Sequence, residues 1–243
     1  MDGLILEATE MLINVYKTIK KTVEWIRSYV KDHNKNSLVV KLETDNIASL
    51  TTAILCFKSG VNTGFITEDY NDLDSSFSDL FKAKILIPNI ELDLEIGGAM
   101  LDNLASMDNG IVVGWLSQEW YEARLYKKWS TGDILPLANL NLLEIKQMFE
   151  MLNENNIYNQ EQIFNTESPN EFTFEEIRWA LKEENITGIL SSNIDPTKTR
   201  DWGRFTSRQR KIIAKLNQSE KLTKHKQVNI PICNLKQIPG LVR

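Results

Sequence analysis

The sequence predicts an α/β protein in which a parallel sheet is flanked by helices on both faces. Short apolar segments alternate along the chain with longer segments of helical apolar spacing, which is typical of βαβ units. Residues 38–42 (LVVKL) have the pattern of a short strand, and residues 47–57 (IASLTTAILCF) that of a buried helix. A second strand pattern is GIVVG at 110–114. Together these segments predict the start of a doubly wound sheet.

The other elements follow from apolar periodicity and from turn residues. Residues 2–31 have the spacing of a long amphipathic helix, which ends at the polar residues 33–36. Thr173 and Glu176 have the spacing of a capping box. The later predicted elements are a strand at 64–67, a short helix at 77–81, a strand at 83–90 interrupted by Pro88, a helix at 96–107, and helices at 118–129, 142–153, from 172 onward and at 206–221. We predict one domain over 1–243, with an N-terminal helix (1–36), an α/β core (37–150) and a helical C-terminal part (151–243).

Composition and charge argue against several classes of protein. The 243 residues carry a net charge of −5, whereas non-specific nucleic-acid binding needs a basic surface. Cys56 and Cys233 are far apart and make no disulfide framework, so we expect a reducing, cytoplasmic compartment. We expect neither a membrane span nor a signal peptide, because no apolar run is long enough and the acidic N-terminus lacks a basic segment. The frequent Asn, Lys and Ile are typical of an AT-rich genome.

The turn after the first predicted strand lies where α/β proteins usually hold phosphates. Such a site needs glycines, so that main-chain N–H groups can approach the ligand, and small hydroxyl residues at a helix N-terminus. This turn contains Glu43, Thr44, Asp45 and Asn46. It has no glycine, and its two carboxylates would repel a polyphosphate. The architecture indicates a nucleotide site, but the residues in the turn do not.

Four stretches, taken in order, resemble the ammonia-dependent NAD synthetases, which are N-type ATP pyrophosphatases. They are VEWIRSYVK at 23–31 before the strand, GIVVG at 110–114, KWSTGDILPL at 128–137, and FEEI at 174–177 followed by the basic helix, TKHKQ at 223–227 and Pro231. The resemblance implies an adenine-nucleotide α-hydrolase-like, Rossmann-like fold and a homodimer. An active member would use ATP, Mg²⁺ and deamido-NAD.

The sequence departs from this family at the phosphate-binding positions. The place of the family's S-G-G-x-D-S is taken by ETDNIA at 43–48, and that of its A-R-x-R-M by IGGAM at 96–100. Leu142 stands where the family has a lysine, and TESPN at 166–170 replaces its proline-rich loop. For the metal-binding glutamate of the family, only Glu119 or Glu122 is available as a substitute.

Three residues resemble remnants of a cofactor site: Asp133, His225 and Lys226. Each also has a structural interpretation, since Asp133 follows Gly132 and can shape a turn, while a His-Lys pair near a tail is often plain surface. We predict no catalytic residue, no metal ligand and no bound cofactor.

Other polar and aromatic residues leave two interpretations open. Glu43 and Asp45 could hold a metal, but we expect solvated side chains, and Asp45 or Asn46 suits the N-cap of the helix from Ile47. The basic helix 208–221 could meet nucleic acid, but a solvated face or a subunit contact fits an acidic protein better. Four aromatics could stack on a ligand base or belong to the core or an interface: Trp120, Tyr121, Tyr126 and Trp129.

The leading hypothesis is a catalytically inactive NAD-synthetase-like protein with a structural or protein-interaction role. Trp115, Trp120 and Trp202 are expected to be exposed, and the N-terminal helix to join a homodimer interface. Further protein subunits are possible partners, and the AT-rich composition suits a phage virion component. The alternatives are an active ammonia-dependent NAD synthetase and a nucleotide-binding sensor. The turn at 43–48 favours the inactive protein.

Overall fold

The predicted α/β class is confirmed by a computed structural model, which describes residues 13–43, 46–67, 85–86, 96–123, 131–153, 173, 176, 179–180, 205–223 and 230–235. The helices are α1 (Val15–Asp32), α2 (Ile47–Lys58), α3 (Ile96–Met107), α4 (Gln118–Ala123), α5 (Leu142–Leu152) and α6 (Ser207–Thr223). The strands are β1 (Ser37–Leu42), β2 (Asn62–Thr67), β3 (Ile85–Leu86) and β4 (Ile111–Val113). The predicted helix at 77–81 lies outside the described residues.

The four strands form a parallel sheet in the order β3-β2-β1-β4. Val40 of β1 is paired with Phe65 on one side and Val113 on the other, so this strand lies inside the sheet rather than at its edge. Single parallel bridges continue the ladder beyond β4, from Val113 to Ile134 and from Leu135 to Ile232. A segment near the end of the described chain therefore lies at one side of the sheet.

Helices cover both faces of the sheet, and the side chains of β1 alternate between the two apolar clusters on these faces. Val40 is fully buried in a cluster that includes residues of α1, α2 and α5. Val39 belongs to the opposite cluster, where Leu101 and Ala105 of α3 pack against it. Burying an aliphatic side chain of this size is worth about 1.5–3 kcal/mol, so a strand buried on both faces contributes strongly to folding.

The buried face of helix α1 packs against other helices of the same chain. The face packs against α2 and α5 and contains Val15, Thr18, Thr22, Ile26 and Val30. The two threonine hydroxyls donate to the carbonyl oxygens four residues earlier, at 2.8 Å and 2.9 Å. The helix predicted over 2–31 begins only at Val15, because Asn14 is its N-cap and Ile13 is not helical. Residues 2–12 lie outside the described part, and a role of the helix in a dimer interface stays a prediction.

The predicted capping box at Thr173 is confirmed. The Thr173 N–H donates to Glu176 Oε2 at 2.9 Å, and the Glu176 N–H donates to Thr173 Oγ1 at 3.2 Å. Asn141 and Glu144 form a second capping box at the start of α5. Local side-chain chemistry thus sets the beginnings of these segments.

Both cysteines are buried free thiols. Cys56 lies in the core, as expected, and burial raises its pKa. Burial also raises the pKa of Cys233, to about 12, although a hydrogen bond with Thr22 opposes the shift. Among the described helices, none is long and apolar enough to cross a membrane.

Candidate functional site

The candidate site lies at the carboxyl ends of β1 and β4, which are neighbours in the sheet. From β1 the chain passes through α2 to β2, which lies on one side of β1 in the sheet. β4 lies on the other side of β1 and is reached from β3 through α3, which packs on the opposite face. In open α/β sheets, ligands bind outside the carboxyl ends of the strands at this switch point. The residues that follow β1 and β4 therefore decide what this place can bind.

Asn46, one of the two predicted candidates, is the N-cap of the helix that follows β1. Its Oδ1 accepts the N–H of Ala48 at 3.0 Å and the N–H of Ser49 at 3.1 Å. These groups belong to the first helical turn, where main-chain N–H groups have no partner within the helix and are available to phosphates. The chain's own amide oxygen thus occupies two of the donors that a bound phosphate would use.

Ser49 fastens the same helical turn to the strand. Its fully buried hydroxyl donates to the carbonyl oxygen of Lys41 at 3.0 Å and accepts the N–H of Glu43 at 2.9 Å. Two main-chain groups at the end of β1 are therefore satisfied by one side chain of α2. The side chain of Ser49 thus joins the end of β1 to the first turn of α2.

Glu43 was expected to be solvated, and that expectation is wrong. Its side chain is 13% exposed and its Oε1 lies 3.5 Å from Nζ of Lys41, whose side chain is 7% exposed. Lys41 lies in β1, and Glu43 directly follows this strand. Because the two residues are two positions apart, both side chains lie on one face. The cation is thus already paired within the chain. Asp45 lies outside the described residues.

The two glutamates after β4 have different environments. Glu119 is buried, and both of its oxygens lie 3.2 Å from the N–H of Leu142, the first residue of α5. Glu122 is exposed and accepts a hydrogen bond from Gln118. Among the described residues, no three His, Cys, Asp or Glu side chains are grouped as metal ligands.

Asp133 is exposed but bonded to β4. Its N–H donates to the carbonyl oxygen of Val112 at 2.7 Å, and its Oδ2 accepts the Val112 N–H at 2.9 Å. It lies level with Val112, one residue before the last residue of β4. A Cβ at the preceding Gly132 would come within 2.5 Å of Val112 O and Gly114 N, so only glycine fits there. These contacts fit the structural interpretation of Asp133, and a contact of this residue with a cofactor stays a prediction. His225 and Lys226 lie outside the described residues.

The aromatic residues near the site belong mostly to the core. Trp115 was expected to be exposed, and this is wrong, since it is 4% exposed. Trp120 and Tyr121 are partly buried against Leu116, Leu135 and Ala138, which supports the core alternative. The other three aromatics of interest lie outside the described residues: Tyr126, Trp129 and Trp202.

The basic helix α6 buries an apolar face. Ile212, Ile213 and Leu216 are buried, and the guanidinium of Arg208 donates to both carboxylate oxygens of Glu176 at 2.7 Å and 2.9 Å. The helix is therefore anchored to its own chain. A subunit contact of this helix stays a prediction.

The sequence analysis missed the roles of Lys41, Ser49 and Glu119. A lysine in an otherwise apolar central strand was a signal, because a buried ammonium group needs a partner. The other two roles depend on contacts between separate elements, for which no local pattern exists.

No protein-family model and no curated protein matches the sequence. Solved structures do match it. An NMN synthetase from Francisella tularensis aligns with a TM-score of 0.57 and 17% identity, over 89% of this chain and 97% of that one. An NH3-dependent NAD synthetase from Campylobacter jejuni, in complex with nitrate, aligns with a TM-score of 0.54 and 14% identity, over 95% and 100% of the chains. An NAD+ synthetase from Burkholderia pseudomallei aligns with a TM-score of 0.50 and 14% identity, over 90% and 93%. The fold is thus NAD-synthetase-like.

Proposed function

We propose that this chain is a catalytically inactive relative of the NAD synthetases that serves as a structural or protein-interaction subunit. The similarity in fold supports the relationship. The observation that carries the proposal is the hydrogen bonding of Asn46, whose Oδ1 occupies the N–H groups of Ala48 and Ser49. A phosphate would have to displace this cap and would bind beside the carboxylate of Glu43.

The chemistry of the NAD synthetases explains why these contacts argue against catalysis. Activating a carboxylate with ATP releases pyrophosphate, and the protein must position the reactants and stabilise negative charge. Here the described cation at the end of β1, Lys41, is paired with Glu43. Glu119, a candidate substitute for a magnesium ligand, bonds the start of α5 instead. The described residues do not fit a nucleotide with its metal ion.

We propose further that the chain acts as a homodimer and as part of a larger assembly, such as a phage virion. Two exposed apolar side chains support contacts with other chains, since Tyr16 on α1 is 71% exposed and Met107 at the end of α3 is 84% exposed. They replace Trp115 as candidates for such contacts. The AT-rich style of the composition suits a phage of an AT-rich bacterium.

The catalytic part is tested with the purified full chain. ATP, Mg²⁺ and ammonium are supplied with deamido-NAD or with its mononucleotide counterpart, and pyrophosphate and amide product are measured. An ammonia-dependent NAD synthetase is the positive control. We expect no turnover above the protein-free background, and turnover with either nucleotide would overturn the proposal.

The assembly part is tested by sedimentation of the full chain and by pull-down from its native source. We expect a dimer or larger species, and Tyr16→Ser or Met107→Ser to weaken it. Phe57→Ser is a control, because Phe57 is only 40% exposed. A lone monomer without a stable protein partner would remove this role. ATP and NAD binding would then be measured by calorimetry, because the sensor hypothesis would be the better one.

A further inference from the structure

Two buried polar atoms after β4 have no hydrogen-bond partner in the described part of the chain. They are Nε1 of Trp115 and Oγ of Ser117, and the two residues are 4% and 0% exposed. The indole N–H is a donor only, whereas a hydroxyl both donates and accepts. Leaving such a group unbonded in the interior destabilises the folded state. Native proteins usually satisfy these groups, often with a buried water molecule.

Ser117 does not use its hydroxyl in the usual way for its position. It directly precedes α4, and its carbonyl oxygen accepts the N–H of Tyr121 at 2.9 Å. A serine there commonly accepts a main-chain N–H of the helix with Oγ. In this chain the hydroxyl makes no such bond, so it remains able to bind something else.

Successive side chains after β4 enter different parts of the interior. Trp115 belongs to the core cluster that contains Ile47 of α2 and Ile145 of α5. Leu116 belongs to the separate cluster that contains Leu135. Ser117 lies two residues after Trp115 in the segment that joins β4 to α4, and its side chain is fully buried. The two unpartnered atoms therefore belong to one short buried segment at the carboxyl end of β4.

We propose that Trp115 Nε1 and Ser117 Oγ bind one buried water molecule at the carboxyl end of β4. The water would accept the indole N–H and exchange a hydrogen bond with the hydroxyl. Both groups are uncharged and Trp115 lies in an apolar cluster, so the site fits a neutral oxygen acceptor better than an anion. The atoms are shielded from solvent, which matches a ligand of the size of water. The inference does not depend on the proposed function.

Ser37 provides a matched control. Its hydroxyl is also buried without a partner in the described part, but at the amino end of β1. The main chain of Gly110 packs directly against it, since a Cβ added there would come within 2.5 Å of Ser37 Oγ. Backbone thus lies close to one side of the Ser37 hydroxyl, and we propose no water molecule there.

The test combines a high-resolution crystal structure of the full chain with the unfolding midpoints of Ser117→Ala and Ser37→Ala. We expect an ordered water at about 2.7–3.2 Å from both Trp115 Nε1 and Ser117 Oγ. Ser117→Ala should lower the midpoint, because the water loses a partner, whereas Ser37→Ala should leave it unchanged or raise it. The proposal is overturned by a crystal structure without this water, or by a Ser117→Ala midpoint equal to or above that of the parent. The crystal structure decides even if a variant fails to fold.

Discussion

The carboxylate of Glu119 accepts the main-chain N–H of Leu142, with both oxygens 3.2 Å from the nitrogen. The contact joins α4 to the first residue of α5 and places negative charge at the positive end of the α5 dipole. Glu144 adds a second carboxylate through its capping box with Asn141. A glutamate that the sequence offered as a metal ligand therefore stabilises a helix.

Replacing Glu119 should destabilise the protein. We expect Glu119→Ala to lower the free energy of unfolding by about 1–3 kcal/mol, because a partly buried N–H loses a charged acceptor, and Glu119→Gln to cost less. Urea unfolding measures both. Glu122→Ala, at an exposed position three residues later, should stay within about 0.5 kcal/mol of the parent. Equal effects at the two positions would show that the cap contributes little.

The N-cap of α2 at Asn46 should contribute measurably to the free energy of unfolding. We expect Asn46→Ala to lower the free energy of unfolding by about 1 kcal/mol, because two N–H groups of α2 lose their acceptor, and Asn46→Asp to preserve most of it. Thermal and urea unfolding report the change. Asn36→Ala, at an exposed position outside the helices, is the control. An Asn46→Ala protein as stable as this control would contradict the assigned cap.

A side chain at Gly132 should not be tolerated. The added Cβ of Gly132→Ala would meet main-chain atoms of Val112 and Gly114, which cannot move without disturbing the sheet. We expect a loss of about 1–3 kcal/mol, typical of overpacking. Gly60→Ala is the comparison, since Gly60 has a φ of +73° but open space around its Cα. A smaller loss at Gly132 than at Gly60 would show that the strand end can adjust.

A charge in the middle of β1 should prevent folding. Val40 is fully buried and paired on both sides, so Val40→Asp would place a carboxylate in the apolar core without a partner. Circular dichroism should show loss of the cooperative transition. Asn36→Asp, just before the strand and exposed, should melt like the parent. Unchanged melting of Val40→Asp would refute the central position of this strand.

The Arg208–Glu176 contact predicts a dependence of stability on pH. Hydrogen bonds from Arg208 are the main cause that lowers the pKa of Glu176 below its ordinary 4.5, with a smaller contribution from the Thr173 N–H. A lowered folded-state pKa gives stability that is present above the unfolded-state pKa and is lost as the pH falls through the folded-state value.

Arg208→Gln should therefore reduce the free energy of unfolding more at pH 7 than at a pH well below 4.5. Urea titrations of parent and variant at both pH values measure the difference. High salt should shrink it at pH 7, because the pair is partly exposed and therefore screened. A difference that is independent of pH would assign the effect to packing of the arginine.

The sequence alone determined the features that depend on neighbours along the chain. The apolar run of β1 and the capping box of Thr173 with Glu176 are local patterns that were predicted where they are observed, and the N-cap of α2 was predicted at Asp45 or Asn46 and is found at Asn46. Boundaries were less accurate where no cap marked them, since β2 begins at Asn62 rather than at residue 64. Side-chain periodicity predicts the type of an element but not the residue at which its main-chain hydrogen bonding begins or ends.

The tertiary structure decided which partners the described candidate residues have. Glu43 pairs with Lys41, Asp133 bonds Val112, Glu119 bonds Leu142, and Trp115 is buried in the core. The local sequence around a carboxylate or an indole in a turn does not indicate whether solvent, a ligand or another strand lies opposite the side chain. Burial and partners at these positions follow from the order of the strands and the packing of helices on both faces, which bring together residues far apart in the chain.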